Sequence, residues 1–239
     1  MIMRIIVFII LIIPFKAALA SETDSFFELA DSFFQRFIRN GLVDYQSVSS
    51  DPSSLDELAR VISEINLVGA STEEKKAFYI NTYNLLVIKG IIEEFPVSSP
   101  MNIAGFFDRN KHDVGGEKLT LDDIEKRKLV KTTGDARLHF VLVCAAMSCP
   151  RIADFAYRPD NLDALLNKRS AKALNDPNFV RVGTNQVLVS QIFNWYKDDF
   201  TKESNSILEY LNQYRNSPLG PSYKLAFYEW NWSLNEFKQ

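Results

Sequence analysis

Apolar positions recur at helical spacing over much of this chain. In residues 25–40, Phe26, Ala30, Phe33 and Phe37 share one stripe, with Phe27, Phe34 and Ile38 beside it. Asp24 or Ser25 can cap that helix, and Gly41 ends it. A second helix follows over residues 55–65, after a turn at Asp51, Pro52 and Ser53, and residues 42–46 between them alternate like a short strand. Residues 73–94 are apolar nearly all round, which predicts a central helix, and Ser71 and Glu74 have the spacing of a capping box before it. Shorter helices are predicted over 121–129, 162–174, 191–199 and 206–214, the first capped by Thr120 and the third by Ser190. Strand signals are fewer: a hairpin turn at Gly115-Gly116, an apolar run at 138–143, residues 187–189, and an aromatic stretch from Tyr223. These elements predict one mainly helical α+β domain around a small, mostly antiparallel sheet containing 138–143, the hairpin and the C-terminal strand.

Polar groups intrude into three of the apolar elements. Asn81 and Asn84 lie three apart on the central helix, hence on one face; they can brace a neighbouring loop or line a site. Glu125 lies on the helix after Thr120, beside Asp122 and Asp123, which fit a solvated first turn. His139 interrupts the run 138–143, which leads into Cys144, Ser148, Cys149 and Pro150. A thiol beside an imidazole is a nucleophile–base pair once an acid or amide orients the ring. On a straight strand, however, His139 and Cys144 point to opposite faces and lie about 16 Å apart. The alternatives are a core histidine bonded to backbone, a small buried hydrophobe at Cys144, and a disulfide between Cys144 and Cys149. The other histidine, His112, reads as solvated in a polar loop.

Compartment follows from the N-terminus. Arg4, the apolar residues 5–13 and the small-x-small pattern Ala18-Leu19-Ala20 read as a signal peptide, residues 1–20, cleaved after Ala20. That predicts a periplasmic or secreted protein, residues 21–239, with no stable membrane span after cleavage. The formal charge of −3, with 27 basic against 30 acidic residues and no basic stripe, argues against nucleic acid as a partner. Ligand-spaced His/Cys clusters, phosphate loops and dinucleotide glycine motifs are absent, so no metal or cofactor is expected.

Six ordered blocks carry a resemblance: AFYINTYNLLV (77–87), LTLDDIE (119–125), DARLHFVLVCAAMSCP (135–150), YRPDNLD (157–163), SQIFNWYKDDF (190–200) and YEWNWSLNE (228–236). Together they resemble the domain of unknown function 547 family. The resemblance implies that Asn81, Tyr83, Asn84, Ile124, Glu125, His139, Cys144, Ser148, Pro150, Trp195, Tyr196 and Phe200 matter. The family usually carries a histidine after the glutamate, where this chain has Lys126, and its pattern is more variable at Cys149 than at Cys144. Glu125, His139 and Cys144 are thereby lifted as a set with papain-like or transglutaminase-like character. Cys144 is then the nucleophile, His139 the base and Glu125 the orienting group, acting on an amide or thioester of a small-molecule or peptide substrate. Cys149 is second choice as nucleophile, and Cys149, Ser148, Asn81 and Asn84 are candidate lining residues. The competing reading is a non-enzymatic binding or scaffold domain with a structural His/Cys network. A thiol redox pair ranks below both, since four residues separate the cysteines.

Overall fold

Helix α1 (Glu22–Phe37) buries the phenylalanine stripe expected of it, Phe26, Phe27, Phe33, Phe34 and Phe37 included. The computed structural model describes residues 22–238, so the segment read as a signal peptide lies outside the described residues. The helix stops sooner than its apolar pattern, because Ile38 leaves it for a hairpin. Strands β1 (Ile38–Arg39) and β2 (Leu42–Val43) pair antiparallel across Asn40-Gly41, both at positive φ (54° and 75°). An Asn-Gly pair suits such a tight turn because these residues tolerate left-handed backbone best. A Cβ on Gly41 would also lie 2.5 Å from the Arg151 Cβ. Gly41→Ala is therefore expected to destabilise the protein by about 2 kcal/mol in urea unfolding, by strain and overlap together.

The chain continues through α2 (Tyr45–Ser50), capped by the Asp44 carboxylate, and α3 (Ser53–Glu64) into α4 (Thr72–Glu93). The capping box forms at the head of α4: the Glu74 N–H donates to Ser71 Oγ at 3.1 Å, and the Ser71 N–H to Glu74 Oε2 at 2.8 Å. Almost every residue of α4 from Ala77 to Ile91 is buried, and α1, α2 and α3 pack against it. The expected hairpin follows as β3 (His112–Val114) and β4 (Glu117–Leu119), with Gly115 and Gly116 both at positive φ. His112 is half-buried on β3 rather than solvated, and burial lowers its pKa.

Thr120 then caps the next helix reciprocally with Asp123, at 3.0 and 3.1 Å. Its body, Asp123–Val130, is wound as a π-helix and runs into a single turn, α5 (Lys131–Thr133). Such wide turns are rare and concentrate at functional sites. Beyond them lie α6 (Leu162–Asn175), β5 (Val180–Val182), β6 (Gln186–Val189), α7 (Ile192–Trp195), α8 (Lys197–Thr201), α9 (Ile207–Asn212) and β7 (Lys224–Phe227). Strand β6 pairs antiparallel with β5 and parallel with β7.

The α+β, mainly helical architecture holds, but its sheet is not the expected one. The described strands form three separate small sheets, and residues 138–143 belong to none. Ala136–Phe140 is a 3-10 helix, and the chain is irregular from there to Cys144. Two polar groups explain the difference. The Asp135 carboxylate accepts the Arg137 N–H at 3.0 Å and so starts a helical turn. The buried Asn84 amide takes the Val141 carbonyl and the Val143 N–H, both at 2.9 Å. A side chain thus satisfies the backbone groups a neighbouring strand would have needed. The apolarity of the run still does what it predicts: Leu138, Phe140, Val141, Leu142 and Val143 are all buried.

Candidate active site

Residues 144–149 form a tight loop held on two sides. From within, Cys149 Sγ accepts the Cys144 N–H at 3.2 Å, and the Cys149 N–H donates to the Ala146 carbonyl at 3.0 Å. From outside, an extended C-terminal strap pairs with it: Met147 N–H to the Ser233 carbonyl (2.8 Å), Ser148 N–H to Asn231 (3.3 Å) and Asn235 N–H to the Ala145 carbonyl (2.9 Å). The strap is itself bridged to Val43 of β2. Between the two cysteines' ends, Ala145 sits at φ 63°, left-handed backbone that costs a non-glycine residue roughly 1 kcal/mol or more. The loop is therefore held in a strained shape immediately after Cys144. Both cysteines are free thiols, Cys144 half-buried and Cys149 buried.

The loop forms one wall of a cavity of about 300 Å³ that brings Glu125, His139, Cys144 and Cys149 together. The strand-based objection to a Cys–His pairing falls away with the strand, since a 3-10 turn and irregular chain separate the two residues. All three tryptophans of the chain line the same cavity. Trp195 is half-exposed at the mouth, 5.0 Å from Trp230 and 6.1 Å from Trp232 between ring centroids. No lysine or arginine is among the described residues lining it.

His139 is buried, but its partner is not backbone. Nε2 lies 2.8 Å from Asp199 Oδ2, and the ring stacks on Tyr196 with centroids 4.0 Å apart. The bond to His139 holds the Asp199 carboxyl below its usual range, so Asp199 is ionised and accepts. In a neutral imidazole this contact places the proton on Nε2 and leaves Nδ1 as the accepting nitrogen. The Glu125 carboxylate, expected to orient the imidazole, lies beside the Tyr196 and Tyr83 phenols and, after burial, does most to push their pKa values up. The Cys144 thiol is pushed up as well, by the Cys149 sulfur beside it, by burial and by Glu125, with the Ala146 N–H acting the opposite way. It is protonated at neutral pH.

The other candidate lining residues lie elsewhere. Asn81 and Asn84 are buried braces: Asn84 holds the approach to Cys144, and Asn81 takes the Tyr157 carbonyl (2.8 Å) and N–H (2.9 Å). Ser148 accepts the Asn231 N–H at 2.8 Å and faces a neighbouring cavity, which Cys149 also lines. Asp122 and Asp123 pair with Lys126 and Arg127 at 2.6 and 2.8 Å, and Asp122 also lines the cysteine cavity. Sequence reasoning missed Asp199, Trp230 and Trp232. Asp199 sits beside an equally acidic Asp198, and nothing in the sequence distinguishes the one facing His139. Among the described residues no group of three His, Cys, Asp or Glu side chains is placed to hold a metal, and no helix is long and apolar enough to cross a membrane.

Neither the curated proteins nor the solved structures contain a match to this chain. The matched stretch of a family model, residues 67–172, takes in α4, the π-helix, the 3-10 turn and the cysteine loop, hence Glu125, His139 and Cys144 together. That model is described as "Protein of unknown function, DUF547", and this stretch of the chain is similar to that family.

Proposed function

We propose that this cavity is the active site of a cysteine-dependent hydrolase or acyl transferase acting on an amide or thioester. The observation that carries the reading is the convergence of a thiol and an imidazole on one aromatic-walled cavity, with the imidazole bonded to the Asp199 carboxylate. Cys144 is the nucleophile and His139 the base, as the sequence suggested; Asp199 is the positioning residue for the imidazole, and Glu125 orders Tyr196, on which that ring stacks.

The raised Cys144 pKa favours attack by a thiol deprotonated in the complex. No thiolate stands ready, so His139 must take the thiol proton as the sulfur–carbon bond forms. The carbonyl's bond to its amine or thiol leaving group then breaks, and His139 returns the proton to that group. Water, or an acceptor, releases the acyl group from Cys144.

This predicts an unusual labelling pattern. A simple alkylating agent should modify Cys144 slowly below about pH 8.5, the model thiol value. An activated thioester should acylate it readily at pH 7, because the base acts within the complex. Acylation should vanish in Cys144→Ala and fall at least about a hundredfold in His139→Ala, read by mass spectrometry. Absence of Cys144 acylation by any thioester would sink the reading. Modification of either thiol only on unfolding would favour a non-enzymatic binding domain, which the raised thiol and the buried Cys149 also fit.

Export is proposed on the sequence alone, from Arg4, residues 5–13 and Ala18-Leu19-Ala20. The mature N-terminus of the exported protein should be Ser21; recovery of an intact Met1 from the cytoplasm would remove the proposal.

A further inference from the structure

The neighbouring cavity has the opposite electrostatic character. It holds about 220 Å³ and backs onto the first, with Cys149 and Pro150 lining both. Four cations line it, Arg151, Arg169, Lys172 and Arg181, against two carboxylates, Asp176 and Glu229. None of the four is in an ion pair among the described residues. Asp176 Oδ1 is occupied by the Asn178 backbone and side-chain N–H groups, at 2.8 and 3.0 Å.

Arg169, on α6, is the decisive residue. Its relative exposure is only 8%, and its Nε is buried with no hydrogen-bond partner. The group beside it is the buried Tyr157 phenol, which is neutral and cannot serve as a counter-ion. A buried guanidinium without a carboxylate is costly, and folded proteins ordinarily supply the missing charge. The cations around it are positioned by packing rather than by acids. The Arg151 stem lies against Gly41 where no Cβ fits. The Arg181 guanidinium sits 4.3 Å from the centroid of the Tyr228 ring. The site is thus preorganised and carries a net positive charge.

We propose that this cavity binds an oxyanion, the carboxylate or phosphate of a small molecule, with Arg169 as its buried fork. Guanidinium groups match both anions bidentately. The volume lies below that of pockets for drug-sized ligands, and suits an anionic head group. The proposal does not depend on the chemistry assigned to Cys144.

The test is direct binding to the whole protein. Inorganic phosphate and, separately, acetate are titrated at constant ionic strength set with chloride, followed by calorimetry and thermal unfolding. Saturable binding of at least one anion is expected, and which one binds separates phosphate from carboxylate ligands. Arg169→Gln and Arg181→Gln should each weaken it at least about tenfold. Arg181 is exposed, so its variant decides the matter even where Arg169→Gln fails to fold. No saturable binding of either anion, equal stabilisation by chloride, or an unchanged Kd in the folded variants would overturn the proposal. Cys144→Ala should bind the anion as the natural protein does, whether or not the cysteine site proves catalytic.

Discussion

Asn84→Ala is expected to lower stability by about 3 kcal/mol and to loosen the cysteine loop. The substitution leaves the buried Val141 carbonyl and Val143 N–H without partners, and each orphaned group costs roughly 1–3 kcal/mol. The cavity left by the amide adds to this. Urea unfolding should show a lower midpoint with an unchanged slope. Hydrogen exchange should show lost protection at Val143 and, through it, faster exchange across residues 144–149. A loss below about 1 kcal/mol would mean that the C-terminal strap alone holds the loop.

Asp135→Asn should cost a similar amount for an electrostatic reason. The carboxylate accepts the Arg137 Nε and Nη2 at 2.8 Å each, caps the 3-10 turn through the Arg137 N–H, and pairs with Lys76. Arg137 reaches on to Asp163 and Asn167 of α6, at 2.8 and 2.9 Å. The turn that presents His139 is thereby tied to α4 and α6. Removing the charge leaves two cations, both largely buried, without their shared partner, a change worth about 3 kcal/mol. The same group sets an acid limit. Burial alone would raise its pKa, but the Arg137 fork and the Lys76 ammonium override burial and bring it down to about 2. A depressed folded value means the stabilisation is complete above about pH 4 and is lost as pH falls toward 2, to a total of about 2 kcal/mol. The acid limb of a stability–pH curve should flatten in Asp135→Asn; an unchanged slope there would refute the assignment.

Local signals in the sequence were reliable where the backbone itself had to be satisfied. The Ser71/Glu74 box starts the central helix, the glycine pair at 115–116 turns a hairpin, and Thr120 caps the helix that holds Glu125. The Asn40-Gly41 turn was equally legible yet was outweighed by the apolar stripe, which runs on through Ile38. Residues 138–143 show the opposite limit. A short apolar run reports burial but not conformation, and the choice of turn over strand was made by Asn84, more than fifty residues away. The stretch 191–199 was expected as one helix, but it breaks at Tyr196, whose ring meets His139. Periodicity carries no trace of the π-winding around Glu125, nor of the partnership between His139 and Asp199. Both depend on tertiary neighbours.

The strap has a consequence for the order in which the protein can mature. Cys144, His139 and Asp199 are all synthesised before Asn231, yet the loop bearing Cys144 is pinned by Asn231, Ser233 and Asn235. Contacts this distant in sequence form late, after the helices around α4 have gathered. A nascent chain halted before Asn231 would hold Glu125, His139, Cys144 and Cys149, with the Met147 and Ser148 amides and the Ala145 carbonyl still turned to water. Assembly of the cysteine loop is thus timed by the last segment of the chain to be made.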